Sequence, residues 1–207
     1  MTSPTKRDGV LLNPFGGVMR KSDPCGPPPS PVSSPKECNA THEASHVVWL
    51  FLRGMRIEKV SVEPNGKSEG RVTMPEGRQQ FVSPPPVSAK PDPCTMAVTQ
   101  AAVLLSGPAG IAVLTGSRAL SDEPEILDAR DILAEAYPRM TVGCTLNDIW
   151  RCLCDRLAYP PVWAGVEALA RRLLQDRTID YTTAHIIVHD AMVKAAEQQP
   201  TEYRRTA

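Results

Sequence analysis

The sequence predicts a mainly α fold of the α+β kind: one helical domain with a small β-hairpin or sheet. Three observations carry this. From Thr95 onward, apolar residues recur at helical spacing almost to the C-terminus. Between Arg56 and Met74, two short segments with β-branched residues flank Pro64-Asn65-Gly66-Lys67, and Asn-Gly is a strong hairpin signal. The 207 residues suffice for one domain with tails and for a core without disulfide staples.

Each element has its own warrant. Residues 1–36 are rich in Pro, Ser, Gly and Lys, and such a segment buries too little apolar area to offset its ordering entropy. They read as a disordered arm before a domain at 37–199, with 200–207 as a tail. A first helix is expected over Thr41–Arg53, capped by Asn39 or Thr41 and stopped by Gly54. Strands follow at Arg56–Glu63 and Gly70–Met74, and then a Pro-rich loop over 75–95. Thr95–Leu105 and Ala109–Leu114 read as a buried helix pair broken at Gly107-Pro108. The charge-free run Ala97–Gly116 is long enough to span a bilayer, but its polar, Gly and Pro residues favour a core pair. Further helices are expected from Ser121 to Tyr137, from Thr145 to Tyr159, over Val162–Gln175 and over Tyr181–Gln199. The Val162–Gln175 helix has Val166, Leu169, Ala170, Leu173 and Leu174 on one stripe.

Composition excludes several classes. Acidic and basic residues balance at 23 each, so no bulk attraction to nucleic acid or membrane is implied. The six Cys form no CxxC pair and no zinc-ribbon spacing. No apolar signal segment opens the chain, so reduced thiols in a cytoplasmic protein are expected. No P-loop pattern occurs.

The chemistry concentrates in His42-Glu43-Ala44-Ser45-His46, an HExxH pentapeptide. Residues four apart share a helix face, so both imidazoles can bind one Zn²⁺. Glu43 beside them can take a proton from zinc-activated water and pass it to a leaving amine. A catalytic zinc usually keeps three protein ligands. Glu58, Glu63 and Glu69 are weak candidates for the third because they lie in or beside the hairpin, and no HExxHxxGxxH tail is present. His185 and His189 repeat the spacing without the Glu and read as structural or surface residues. Asp128 and Asp131 read as a solvated helix face.

The pattern resembles the FtsH-like, M41 zinc metallopeptidases over roughly residues 38–178. The likeness rests on the HEAxH helix, the hairpin with Lys59-Val60-Ser61-Val62-Glu63-Pro64-Asn65-Gly66 followed by Gly70, the apolar helix through Leu105-Ser106-Gly107-Pro108-Ala109-Gly110, and Ser121-Asp122 opening a helix. The resemblance implies a third zinc ligand at Asp122, about 80 residues after His42. It departs from the family at Ser45, where Gly is usual, at Gly110, where Glu is common, and in lacking the AAA ATPase module.

The expectation is therefore a stand-alone zinc endopeptidase acting without ATP on unstructured protein segments. His42, His46 and Asp122 would hold zinc, and Glu43 would be the general base. Gly70, Arg71 and Val72 would pair with the substrate backbone by strand addition. A separate unfoldase or adaptor could deliver substrates. Two alternatives stand beside this: a binding or regulatory protein that keeps the fold, and an ImmA-like narrowly specific regulatory protease.

Overall fold

The computed structural model describes residues 34–64, 70–75, 93–117, 119–120, 123–137 and 142–199. Among these it is mainly helical, with six helices and one three-stranded antiparallel sheet. The order is α1 (Pro35–Leu52), β1 (Lys59–Ser61), β2 (Arg71–Thr73), α2 (Pro93–Thr115), α3 (Pro124–Ala136), α4 (Val142–Leu157), α5 (Pro160–Asp176), β3 (Thr178–Asp180) and α6 (Tyr181–Glu197). The expected arm up to residue 33, the Asn65-Gly66 turn and most of the Pro-rich loop lie outside the described residues.

α1 begins two turns earlier than the Asn39 or Thr41 cap predicted. Ser34 is the cap, Pro35 fills the first position, and Glu37 closes a capping box: Ser34 Oγ accepts from Glu37 N at 3.3 Å and Glu37 Oε2 from Ser34 N at 2.7 Å. Such a cap contributes on the order of 1 kcal/mol. The early start leaves about two turns of helix before His42, so the motif sits mid-helix. The stop is as expected: Gly54 takes a φ of +66°, and Met55 N bonds back to Leu50 O at 2.9 Å.

α2 is the central helix. It packs on α1, α3 and α4 and buries Ala101, Leu105, Ala109 and Ala112. It runs unbroken through Pro108, so the expected break at Gly107-Pro108 is not there. Packing on three sides holds the turn together although Pro108 has no N–H for the Leu104 carbonyl. The same packing accounts for the apolar character of Thr95–Thr115, the one helix among the described residues long and apolar enough to cross a membrane.

α5 packs on α1 and α6 through Val166, Leu169, Ala170 and Leu173, all buried. Leu174, placed on that stripe by the sequence, is 41% exposed, because it lies one position beyond the face that α1 and α6 cover. The sheet order is β2-β1-β3, with Val60 opposite both Val72 and Ile179. β3 was not expected from the sequence. Its three residues offer a single buried side chain, Ile179, too little alternation to register as a strand. Among the described residues β2 is an edge strand, and its first residue adjoins Gly70, which lies against α1.

Candidate metal centre

α1 carries three polar side chains of the motif inward within little more than one turn. Glu43 is 6% exposed and His46 is 7% exposed, while His42 is half-buried. Buried polar groups need partners. Those partners come from α2, which crosses the His face, and from the first turn of α3.

Three side chains converge. His42 Nε2 and His46 Nε2 lie 3.1 Å apart. Glu125 Oε2 is 3.0 Å from His42 Nε2, and Glu125 Oε1 is 3.4 Å from His46 Nε2. A tetrahedral ion with bonds of about 2.0–2.1 Å sets its ligand atoms about 3.3 Å apart, the scale of these separations. Two further observations fit an ion. Glu125 Oε2 is buried and accepts no well-aligned hydrogen bond, despite facing an imidazole. Gly107 of α2 leaves a hollow: a Cβ there would stand 2.5 Å from His42 Nε2 and would also overlap His46 Nε2. His42, His46 and Glu125 thus form a group that could hold a metal ion.

The His46 imidazole is held in the tautomer a metal needs. His46 Nδ1 donates to Val103 O at 2.9 Å and lies 3.0 Å from Ser106 Oγ, which itself donates to the same carbonyl at 2.6 Å. With the proton on Nδ1, Nε2 presents its lone pair to the centre. Val103 lies one turn before Pro108 on α2, so the Pro-containing segment supplies this support.

Charges in the cluster shift one another. Burial pushes the Glu125 carboxyl up, but attraction to His42 and His46 outweighs it and holds the group at about 2. Burial pushes His42 down, yet Glu125, then Glu43 and Glu123, leave it above its ordinary 6.5. Burial raises Glu43 above its ordinary 4.5, and the two imidazoles only partly offset this. Glu43 is therefore the weaker acid of the two carboxyls, and Glu125 the one that stays ionised.

Glu43, His42 and Glu125 open into one cleft of about 410 Å³, with Cys38, Gly70 and Ile111 on its walls. A Cβ at Gly70 would sit 2.6 Å from Glu43 Oε1 and 2.9 Å from Asn39 Oδ1, so only glycine lets β2 approach this closely. On the other side of α1, Ser45 Oγ donates to Thr41 O at 2.7 Å and fills the space facing Gly110, where a Cβ would overlap it. Ser45 and Gly110 thus lie against each other: the hydroxymethyl group on α1 fills the space that the glycine leaves on α2.

Of the residues singled out in the sequence, the structure brings His42, Glu43, His46 and Gly70 to one place. Asp122 lies outside the described residues. Arg71 is exposed and Val72 half-buried on β2. Asp128 and Asp131 are exposed, as a solvated face requires. Three site residues were missed: Glu125, Ser106 and Gly107. Glu125 was legible, because Pro at the first helical position starts α3 at Pro124 and places Glu125 in its first turn, where a carboxylate is favoured. Ser106 and Gly107 carry no signal until α2 is laid across α1.

No family model matches the chain, and no curated protein matches it.

Proposed function

We propose that this chain is a zinc-dependent peptidase of M41-like kind, acting on unstructured peptide segments. The observation that carries the reading is the convergence of a third ligand, Glu125, on the two His of an HExxH helix, with the motif's Glu43 in the same cleft. A zinc ion held there supplies a Lewis acid for water and for the scissile carbonyl. The remaining work falls to the chain. His46, locked by Val103 and Ser106, and Glu125, ionised down to about 2, hold the ligand set in place. Glu43 takes a proton from water on its carboxylate and returns it to the departing amine nitrogen. Its burial raises its proton affinity, which suits a group that must hold a proton between two steps. Gly70 and the edge strand β2 adjoin Glu43, where an extended substrate backbone can pair by strand addition. An unfoldase or adaptor acting in trans would extend the range to folded substrates.

The test is Glu43→Gln in the zinc-loaded full chain. Zinc content and thermal stability should be retained, and hydrolysis of unstructured peptides should fall about 10²–10⁴-fold. Equal turnover by both forms would remove Glu43 from the chemistry. Absence of turnover in the unaltered zinc-loaded chain on a broad peptide panel would favour a binding or regulatory role.

A further inference from the structure

We propose that Ile111 and Cys38 form an apolar pocket at one end of the metal cleft and select an aliphatic side chain flanking the scissile bond. The proposal rests on the peptidase reading and names the substrate feature that the same cleft selects.

The pocket is placed by the way α1 and α2 cross. Trp49, near the end of α1, shares a cleft with Val98 and Ala102 of α2. His46 meets Val103 and Ser106, and the Thr41 carbonyl lies 3.6 Å from where a Cβ at Gly110 would stand. Moving toward the start of α1 therefore means moving toward the end of α2, so the two helices are antiparallel at the site. Cys38 precedes His42 by one turn, and Ile111 follows Gly107 by one turn. In antiparallel helices these two steps lead the same way. Both side chains line the metal cleft, and both are half-buried, so they are held by the fold and still open to it. Pro35, one turn further toward the start of α1, extends the apolar wall.

The offset suits a side chain beside the reacting carbonyl. Four helical residues advance about 6 Å along the axis, and residues of an extended peptide are about 3.3 Å apart. With its carbonyl at the metal centre, a peptide brings a flanking side chain within reach of a wall one turn away. Gly70 and β2 approach the cleft beside Glu43 and Asn39, where they can hold the backbone. Among the described residues, Ile111 is the one side chain that α2 contributes to this cleft.

The chemistry of the walls sets the class. The carboxylates lining the cleft are Glu43 and Glu125, and no Lys or Arg lines it among the described residues. A polar side chain laid against Ile111 and Cys38 would lose water without gaining a partner, and an acidic one would also lack a basic side chain to pair with. An aliphatic side chain gains apolar contact there.

The experiment uses the zinc-loaded full chain and an equimolar mixture of ten-residue Gly/Ser/Ala peptides that carry Leu, Gln or Glu at one central position. Mass spectrometry follows which peptide is consumed and which bond breaks. The Leu peptide should be cleaved at least about tenfold faster than the other two, at a bond flanking the Leu. Ile111→Ala should lower that ratio at least about threefold, and Ile111→Val should keep most of it. Because the peptides compete in one mixture, the ratio does not depend on how much of a variant is folded or zinc-loaded. If Ile111→Ala fails to fold, Ile111→Thr, branched like Val but polar, should lower the ratio in its place. Equal cleavage of the three peptides, cleavage remote from the Leu, or a ratio unchanged in these variants would overturn the proposal. Binding of the same peptides, rhodamine-labelled, is read by anisotropy on the zinc-loaded Glu43→Gln chain. A Leu preference in binding that a further Ile111→Ala removes, with no cleavage by the unaltered chain, would sink the peptidase reading and keep the pocket. Cleavage without preference would sink the pocket and keep that reading, and neither preference nor cleavage would overturn both.

Discussion

The chain carries two His pairs at i, i+4 spacing, and they have different fates. On α1, His42 and His46 meet edge to face with ring centroids 4.8 Å apart, and their Nε2 atoms point at each other and at Glu125. On α6, His185 and His189 lie nearly parallel at 9° with centroids 6.3 Å apart. His185 packs its ring against Phe51 and Tyr181, and His189 faces solvent beside Asp190 at 3.2 Å. Helix spacing permits convergence in both cases. Convergence happens only where a second helix offers a carbonyl to orient one ring and a third helix offers a carboxylate. α2 and α3 do this for α1, whereas α6 packs its buried residues Ala184 and Val188 against apolar neighbours.

The largest expected effect follows from this contrast. His42→Ala, His46→Ala and Glu125→Ala should each reduce zinc stoichiometry in elemental analysis from near one to near zero at micromolar protein, because two protein ligands hold zinc poorly. His185→Ala together with His189→Ala should leave it near one. Full zinc retention in Glu125→Ala would move the third ligand elsewhere. Asp122→Ala belongs in the same series, since Asp122 is the position that the M41 resemblance implies.

The next effect probes the hollow rather than the ligands. Gly107→Ala adds one methyl where the two Nε2 atoms meet, so it should cut zinc affinity by at least tenfold while helix content is kept, alanine being the better helix former. Gly165, which packs α5 on Met192 and Val188 of α6, is the control: a Cβ there meets side chains at 3.1–3.3 Å. Gly165→Ala should change stability and leave zinc affinity alone. Equal affinity in Gly107→Ala and the parent chain, by competition with a chromogenic chelator, would show that the ion does not sit against α2.

The same two regions show what was legible in the sequence. The helical class, the hairpin and the span of α6 follow from periodicity and turn residues, which are local. The HExxH motif is local too, so His42, Glu43 and His46 could be named directly. α1's start was misplaced although Ser34-Pro35-Lys36-Glu37 is a capping box, because the Pro-rich stretch before it drew the boundary into the helix. At α3 the offset is three residues, a start at Ser121 expected and Pro124 found, and Glu125 went unnamed because the resemblance pointed to Asp122. β3 and the roles of Ser106 and Gly107 depend on contacts across 50 residues or more, and no local pattern encodes them.

The smallest effect is a pH dependence, and it separates the two pairs without removing a ligand. In the metal-free chain His42 is raised above 6.5, chiefly because the attraction to Glu125 outweighs burial. A group raised on folding stabilises fully below its unfolded value and loses that contribution as pH rises through the folded value. Metal-free stability should therefore decline as pH climbs from about 6.5, and the decline should flatten in His42→Asn. Glu43 contributes with the same sign from its lower ordinary value of 4.5, so the comparison is made in a Glu43→Gln background. Zinc requires His42 without its proton, so its affinity should move the opposite way. It should fall up to about tenfold for each pH unit below the raised value, one proton being displaced per ion. Glu125, held at about 2, stays ionised throughout and adds no slope. His185→Asn with His189→Asn should leave the zinc profile unchanged. A pH-independent affinity between 6 and 8 would mean that the ion displaces no proton from His42, and the group of His42, His46 and Glu125 would then be an ion pair rather than a metal centre.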